Sequence, residues 1–137
     1  MLKAFTLIEL LTVLAVIAIL LIIATSFALN AVKQSKATQV AFNLRNIRAA
    51  AESYVFVRKP ATQSHLDLND LVNSGYLVIT ENLLQKYQFS ASRTNDSFEA
   101  TVTYDGDVDI DRLKNILPEA TKINDVLNYP FKIPIYW

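Results

Sequence analysis

A long apolar run at the amino terminus, interrupted early by one carboxylate, constrains this chain more than any other feature. From Leu10 to Ala24 the only non-apolar residue is Thr12, and the run continues more weakly through Thr25, Ser26, Phe27, Ala28 and Leu29. About 20 residues of helix suffice to cross ~30 Å of hydrocarbon. A stretch of Leu, Ile, Ala and Val without Gly or Pro satisfies its own backbone hydrogen bonds in lipid as a single helix. Glu9 stands at the edge of that helix, where burying a lone carboxylate costs several kcal/mol. It needs a cationic partner, and the span offers none.

Two ordinary readings fit a run of this kind. One is a secretory signal with Lys3 as its basic region and Ser26-Phe27-Ala28 as a small-x-small cleavage site. Glu9 and the length of the run argue against it. The other is a plain single-span anchor. Its orientation is ambiguous by charge, because Lys33 and Lys36 follow the span while only Lys3 precedes it.

Lys3-Ala4-Phe5-Thr6-Leu7-Ile8-Glu9-Leu10-Leu11 ahead of an apolar helix resembles the class III signal of type IV pilins and the related pseudopilins. The resemblance implies an α+β fold, a long helical stem packed on a small antiparallel β-sheet head. It implies that a prepilin peptidase removes residues 1–4 by cutting between Ala4 and Phe5, and that Phe5 is then N-methylated. Glu9 becomes the fifth residue after the cut, where the family carries a glutamate. There it pairs with the freed amino group of a neighbouring Phe5 and sets the register of assembly. The chain departs from the family at Ala4, where glycine is usual.

Further implications concern partners and place. The expected partners are other pilin subunits in a homo- or hetero-filament, the peptidase, an inner-membrane assembly platform, and membrane lipid before assembly. The expected location is the inner membrane first, then a surface filament or a periplasmic pseudopilus. The resemblance leaves two functions open, a structural pilus subunit and a pseudopilin of a type II secretion or DNA-uptake system.

The 137 residues divide on this reading into a leader 1–4, a membrane or filament-core helix 5–29, an amphipathic continuation 30–59 and a head 60–137. Residues 31–57 contain neither Gly nor Pro, and Val40, Leu44, Ile47, Ala51 and Val55 recur at helical steps. This stripe is expected to face the head. Phe42, Ala49 and Phe56 mark a second, narrower face, suited either to the chain's own head or to neighbouring stems. The expected helix runs from Thr6 to Val57, about 78 Å at 1.5 Å per residue, and ends before Pro60. Where many major pilins carry a proline, this chain has Ser26.

Net charge is zero, yet residues 28–59 carry six basic side chains against Glu52 alone, and residues 60–137 carry six basic against eleven acidic. A basic stem and an acidic head suit contact between subunits, although exposed pairs are individually worth ~0–1 kcal/mol. There is no cysteine, so the C-terminal region is held without a disulfide.

In the head, residues 60–64 read as a linker and the lone His65 as a surface residue. Leu66, Leu68, Leu71 and Val72 before Gly75 suggest a short helix with a glycine cap. Residues 71–77 also resemble a Gly-Tyr-Leu turn of pilin heads. Residues 87–91 and 98–104 alternate as strands joined by a turn over 92–97. The segment 129–137 holds Pro130 and Pro134, which place it at a sheet edge or as a draped tail.

Asp105, Asp107, Asp109 and Asp111 alternate along one segment and make calcium candidates, against a solvated turn leading into a helix over 112–117. An EF-hand is disfavoured, because Ile110 and Ile116 stand where its glycine and glutamate belong. Tyr129, Phe131, Tyr136 and Trp137 beside Lys132 suggest core or interface packing, or DNA contact, which the acidic head disfavours. One histidine, no cysteine and no glycine-rich loop leave no evident catalytic arrangement, so the protein is expected to be structural rather than an enzyme.

Overall fold

The computed structural model describes residues 3–61 and 64–137; Met1 and Leu2 of the expected leader, and Thr62 and Gln63 of the expected linker, lie outside the described residues. Its first element, α1, is one unbroken helix of 52 residues, Leu7–Arg58. Thr6 starts it as N-cap, and it stops at Lys59, which turns left-handed (φ 46°) and closes the last turn on the Val55 carbonyl immediately before Pro60.

Beyond α1 the chain forms β1 (His65–Asp67), α2 (Leu68–Asn73), α3 (Glu81–Leu84), β2 (Tyr87–Arg93), β3 (Ser97–Tyr104), α4 (Ile110–Ile116), β4 (Thr121–Ile123) and β5 (Val126–Pro134). The strands make one antiparallel sheet in the order β1-β2-β3-β5-β4. The layout is therefore a long helical stem on a five-stranded antiparallel sheet, α+β, as the sequence resemblance implies.

Strand alternation supplies the sheet's inner face. Phe89, Ala91, Phe98, Ala100, Val102, Tyr129, Phe131 and Ile133 are all buried, and the register places Phe89 opposite Val102, Ala91 opposite Ala100 and Ala100 opposite Phe131. The expected stem stripe meets them. Val40, Leu44, Ile47, Ala51 and Val55 are each at most 4 % exposed, with Ala37, Ala41 and Ala50 filling closer approaches. Five fully enclosed aliphatic positions at about 1.5–3 kcal/mol for each large side chain make this stripe the main bond between stem and head.

Polar contacts fix the angle at which the head sits. Arg48 donates to Glu52 at 2.8 Å and to the Tyr129 hydroxyl at 3.0 Å while lying 5.4 Å over the Phe131 ring. The Glu52 carboxylate first, then Tyr129, raise the Arg48 pKa above the ordinary guanidinium value. Arg45 donates to the Ile116 carbonyl at 3.0 Å, and Asn43 to the Tyr87 hydroxyl at 3.1 Å.

Several local expectations are revised. Leu66 belongs to β1, not to a helix, because Asp67 caps α2 and starts it at Leu68. The glycine cap itself holds. Gly75 has φ 77°, its N–H reaches the Val72 carbonyl, and Tyr76 N–H reaches Leu71 at 3.0 Å, a Schellman closure that favours glycine. The helix expected over 112–117 begins earlier, at Ile110, because Asp109 is its N-cap.

The proline-bearing segment is a sheet edge, as expected, rather than a draped tail over residues 129–134: β5 lies between β3 and β4 only at its start, and beyond Asn128 it pairs with β3 alone. It tolerates prolines because β4 pairs only with Val126–Asn128, leaving one side of Pro130 and Pro134 without a partner strand. Asn124 and Asp125, both at positive φ (50° and 64°), make the tight turn that joins β4 to β5.

Candidate processing and assembly site

Local chemistry at the amino terminus starts with Thr6. A threonine followed three residues later by glutamate forms a capping box, and here both halves are made. The Thr6 N–H and hydroxyl donate to Glu9 Oε2 at 2.8 and 2.9 Å, and the Glu9 N–H donates back to Thr6 Oγ1 at 3.3 Å. The Glu9 carboxylate is thus held at the first turn of α1, on the positive end of the helix dipole. Sequence reasoning sought a cation for Glu9 and missed this pairing, although Thr6-Leu7-Ile8-Glu9 spells it out.

Lys3, Ala4 and Phe5 precede the cap in non-helical, exposed backbone, with Phe5 88 % exposed. The Ala4–Phe5 peptide bond is therefore open to an enzyme, two bonds short of the helix that would shield it. Cutting there leaves the new amino group on Phe5, one residue ahead of Thr6 and four ahead of Glu9.

From Leu7 to Lys36 every residue is exposed. The most apolar window of α1 has mean hydropathy 3.0 and none of it is covered by the rest of the chain. Between Leu7 and Leu29 the large apolar side chains are exposed, from Ile17 at 47 % to Leu7 at 78 %. Thr12, Thr25 and Ser26 return their hydroxyls to the carbonyls of Ile8, Leu21 and Ile22, so the few polar groups need no water. Such a surface is stable only when lipid or other helices cover it.

At the upper end of this bare segment the head reaches down to the stem. Arg112 donates to Asn30 Oδ1 at 3.0 Å, to Gln34 Oε1 at 3.2 Å and to Asp109 at 3.3 Å. The Arg112 N–H, and then its guanidinium, hold the Asp109 carboxyl below its ordinary range despite partial burial. Asp109 is thereby committed to capping α4. Asp105, Asp107 and Asp111 do not converge on it, and among the described residues no group of three or more acidic, His or Cys side chains comes together in a way that holds a metal ion.

The aromatic tail divides. Tyr129 and Phe131 enter the core, while Tyr136 stacks on Phe56 (6.5 Å, 7°) and Trp137 meets Phe56 edge-on at 6.1 Å with Lys59 over its ring. The second stem face divides likewise, Phe56 being partly covered by the chain's own tail, at 40 % exposed, and Phe42 left 62 % exposed. His65 is exposed on β1.

A family profile described as the prokaryotic N-terminal methylation motif matches residues 3–25. It spans Ala4, Phe5, Thr6, Glu9 and the bare helix, and stops short of the head. No curated protein and no solved structure matches the chain. The motif is the class III signal of type IV pilins and pseudopilins, whose bearers are processed by a prepilin peptidase, held in a membrane before assembly, and assembled with other pilin subunits. With that signal ahead of a long apolar helix and an α+β head, the chain carries the processing signal of type IV pilins and pseudopilins on a pilin-like layout.

Proposed function

We propose that the chain is a structural, non-catalytic subunit of a type IV pilus or related filament, built in through α1 after cleavage between Ala4 and Phe5. The observation that carries this reading is the wholly uncovered apolar half of α1 directly behind a processing signal. In the membrane lipid covers it; in the filament, neighbouring helices do. Glu9 then pairs with the methylated amino group of a neighbouring Phe5, so that a carboxylate too costly to bury alone fixes the stagger between subunits. The same chemistry serves a pseudopilin of a secretion or DNA-uptake apparatus, and the abundance of surface filaments containing this chain separates the two.

The capping box supplies a clean test. Glu9→Gln keeps a capping partner for Thr6 but removes the charge, whereas Thr6→Ala removes the cap and keeps the charge. Glu9→Gln is expected to be inserted and cleaved yet absent from filaments, and Thr6→Ala to assemble. Normal filaments from Glu9→Gln would sink the register. The mass and N-terminal sequence of the mature chain test the route itself. A start at N-methylated Phe5 supports it, and a start at Leu29 means a secreted domain with the helix discarded.

A further inference from the structure

Where the bare helix ends, stem and head enclose a crevice of about 370 Å³. One helical face supplies its stem side, with Leu29 and Val32 below and Lys33 and Lys36 above. The head supplies Asp107 and Asp109 on either side of Val108, which is buried. Among the described residues, neither lysine nor Asp107 takes part in an ion pair, while Asp109 is engaged by Arg112. Two free ammonium groups and a free carboxylate thus share an apolar-floored cleft without neutralising one another.

We propose that this crevice seats the headgroup of a phospholipid carrying both a phosphate and a primary ammonium, phosphatidylethanolamine. The inference rests on the membrane-anchored reading of α1. Depth is the first argument. The apolar run ends at Leu29, and Lys33 and Lys36 lie about 6 and 10 Å further along the axis, against a headgroup layer of roughly 5–7 Å per leaflet. Side chains on α1 tilt towards its N-terminus, which is the bilayer side, so both lysines lean back into that layer.

Charge order is the second argument. Lys33 and Lys36, one turn apart, bracket a phosphate, and Asp107 across the cleft accepts from the ammonium. Leu29 and Val32 continue the hydrocarbon-facing surface upward, so the acyl chains leave along the same face of the helix. Phosphatidylglycerol would satisfy the lysines but leave Asp107 facing an uncharged glycerol. Phosphatidylcholine has no N–H to offer the carboxylate.

The test uses the full chain in detergent, presented with equimolar phosphatidylethanolamine, phosphatidylcholine and phosphatidylglycerol of matched acyl chains, with retained lipid read by native mass spectrometry. Phosphatidylethanolamine is expected to be retained about threefold over each of the others, the effect of partly exposed ion pairs. The double variant Lys33→Gln/Lys36→Gln brings the three to parity, and Asp107→Asn moves the preference to phosphatidylglycerol. These positions are exposed, so the fold survives their replacement. No preference in the native chain, a native preference for phosphatidylglycerol, or a phosphatidylethanolamine preference that survives both variants overturns the proposal. Flotation with vesicles of each lipid, run in parallel, separates the two layers of the argument. A chain that floats with all three but selects none loses the headgroup seat and keeps its anchor; a chain that floats with none loses both.

Discussion

The two halves of α1 are continuous helix with opposite fates. Residues 7–29 present apolar side chains all round and cover none of them, whereas residues 37–55 bury their main apolar stripe and leave Phe42 of the narrower face exposed. The first half is therefore unfinished without lipid or other subunits, and the second is finished by its own head. Hydrophobicity alone does not distinguish them. What does is its arrangement around the helix axis, since a stripe can be covered by one sheet and a cylinder cannot.

The largest effect that sharpens this contrast comes from matched truncations. Leu44→Ala, at a fully buried position, is expected to destabilise the head by about 3 kcal/mol. Leu14→Ala, at a position 53 % exposed, is expected to leave head unfolding unchanged. Chemical denaturation followed by tyrosine fluorescence decides; equal effects would mean that the two halves are not energetically separate.

Next is the alkaline limit of the buried half. Burial pushes the Tyr87 hydroxyl up to about 12 from its ordinary 10, against the opposing pull of the Asn43 hydrogen bond. Because the folded chain keeps that proton where the unfolded chain loses it, this contribution is intact below pH 10 and disappears as pH rises towards 12. Tyr87→Phe is expected to cost about 1 kcal/mol at neutral pH through the lost Asn43 contact, and to reduce the alkaline fall. It does not abolish that fall, since Tyr104 is also shifted up, by burial first and then by Asp107. Urea midpoints between pH 8 and 12 measure both.

A smaller change tests the boundary between the halves. Arg112→Ala releases Asn30 and Gln34, and exposed hydrogen bonds of this kind are worth about 0.5 kcal/mol in total. Faster amide hydrogen exchange at residues 30–34, with the stripe at 40–55 still protected, is the expected result. Smallest is Asp125→Gly in the β4–β5 turn, where φ 64° favours glycine. A gain of a few tenths of a kcal/mol is expected, visible as a slightly higher denaturation midpoint.

Much of the candidate site was legible because it is local. Ala4, Phe5 and Glu9 stand in a contiguous motif, and the capping box was equally readable in Thr6 and Glu9 had the spacing been applied there. The calcium candidates show the opposite case. Alternating aspartates look like a ligand set along the chain, but Asp109 is drawn off by α4 and Arg112, so proximity in sequence does not become convergence in space. β1 and β4, three residues each, carry too few side chains to show a period, and exist as strands only because β2 and β5 offer them partners.

The sequence by itself determined the signal, the uninterrupted helix, the stripe that meets the head and the β2–β3 hairpin, since each rests on spacing within one segment. Only the tertiary structure decided that β4 flanks the start of β5, that the tail partly covers Phe56 but not Phe42, and that Arg112 ties the head to Asn30 and Gln34. The last two depend on residues more than seventy positions apart meeting, and the energy of such a meeting is set by which surfaces the folded chain leaves free, a quantity no local pattern encodes.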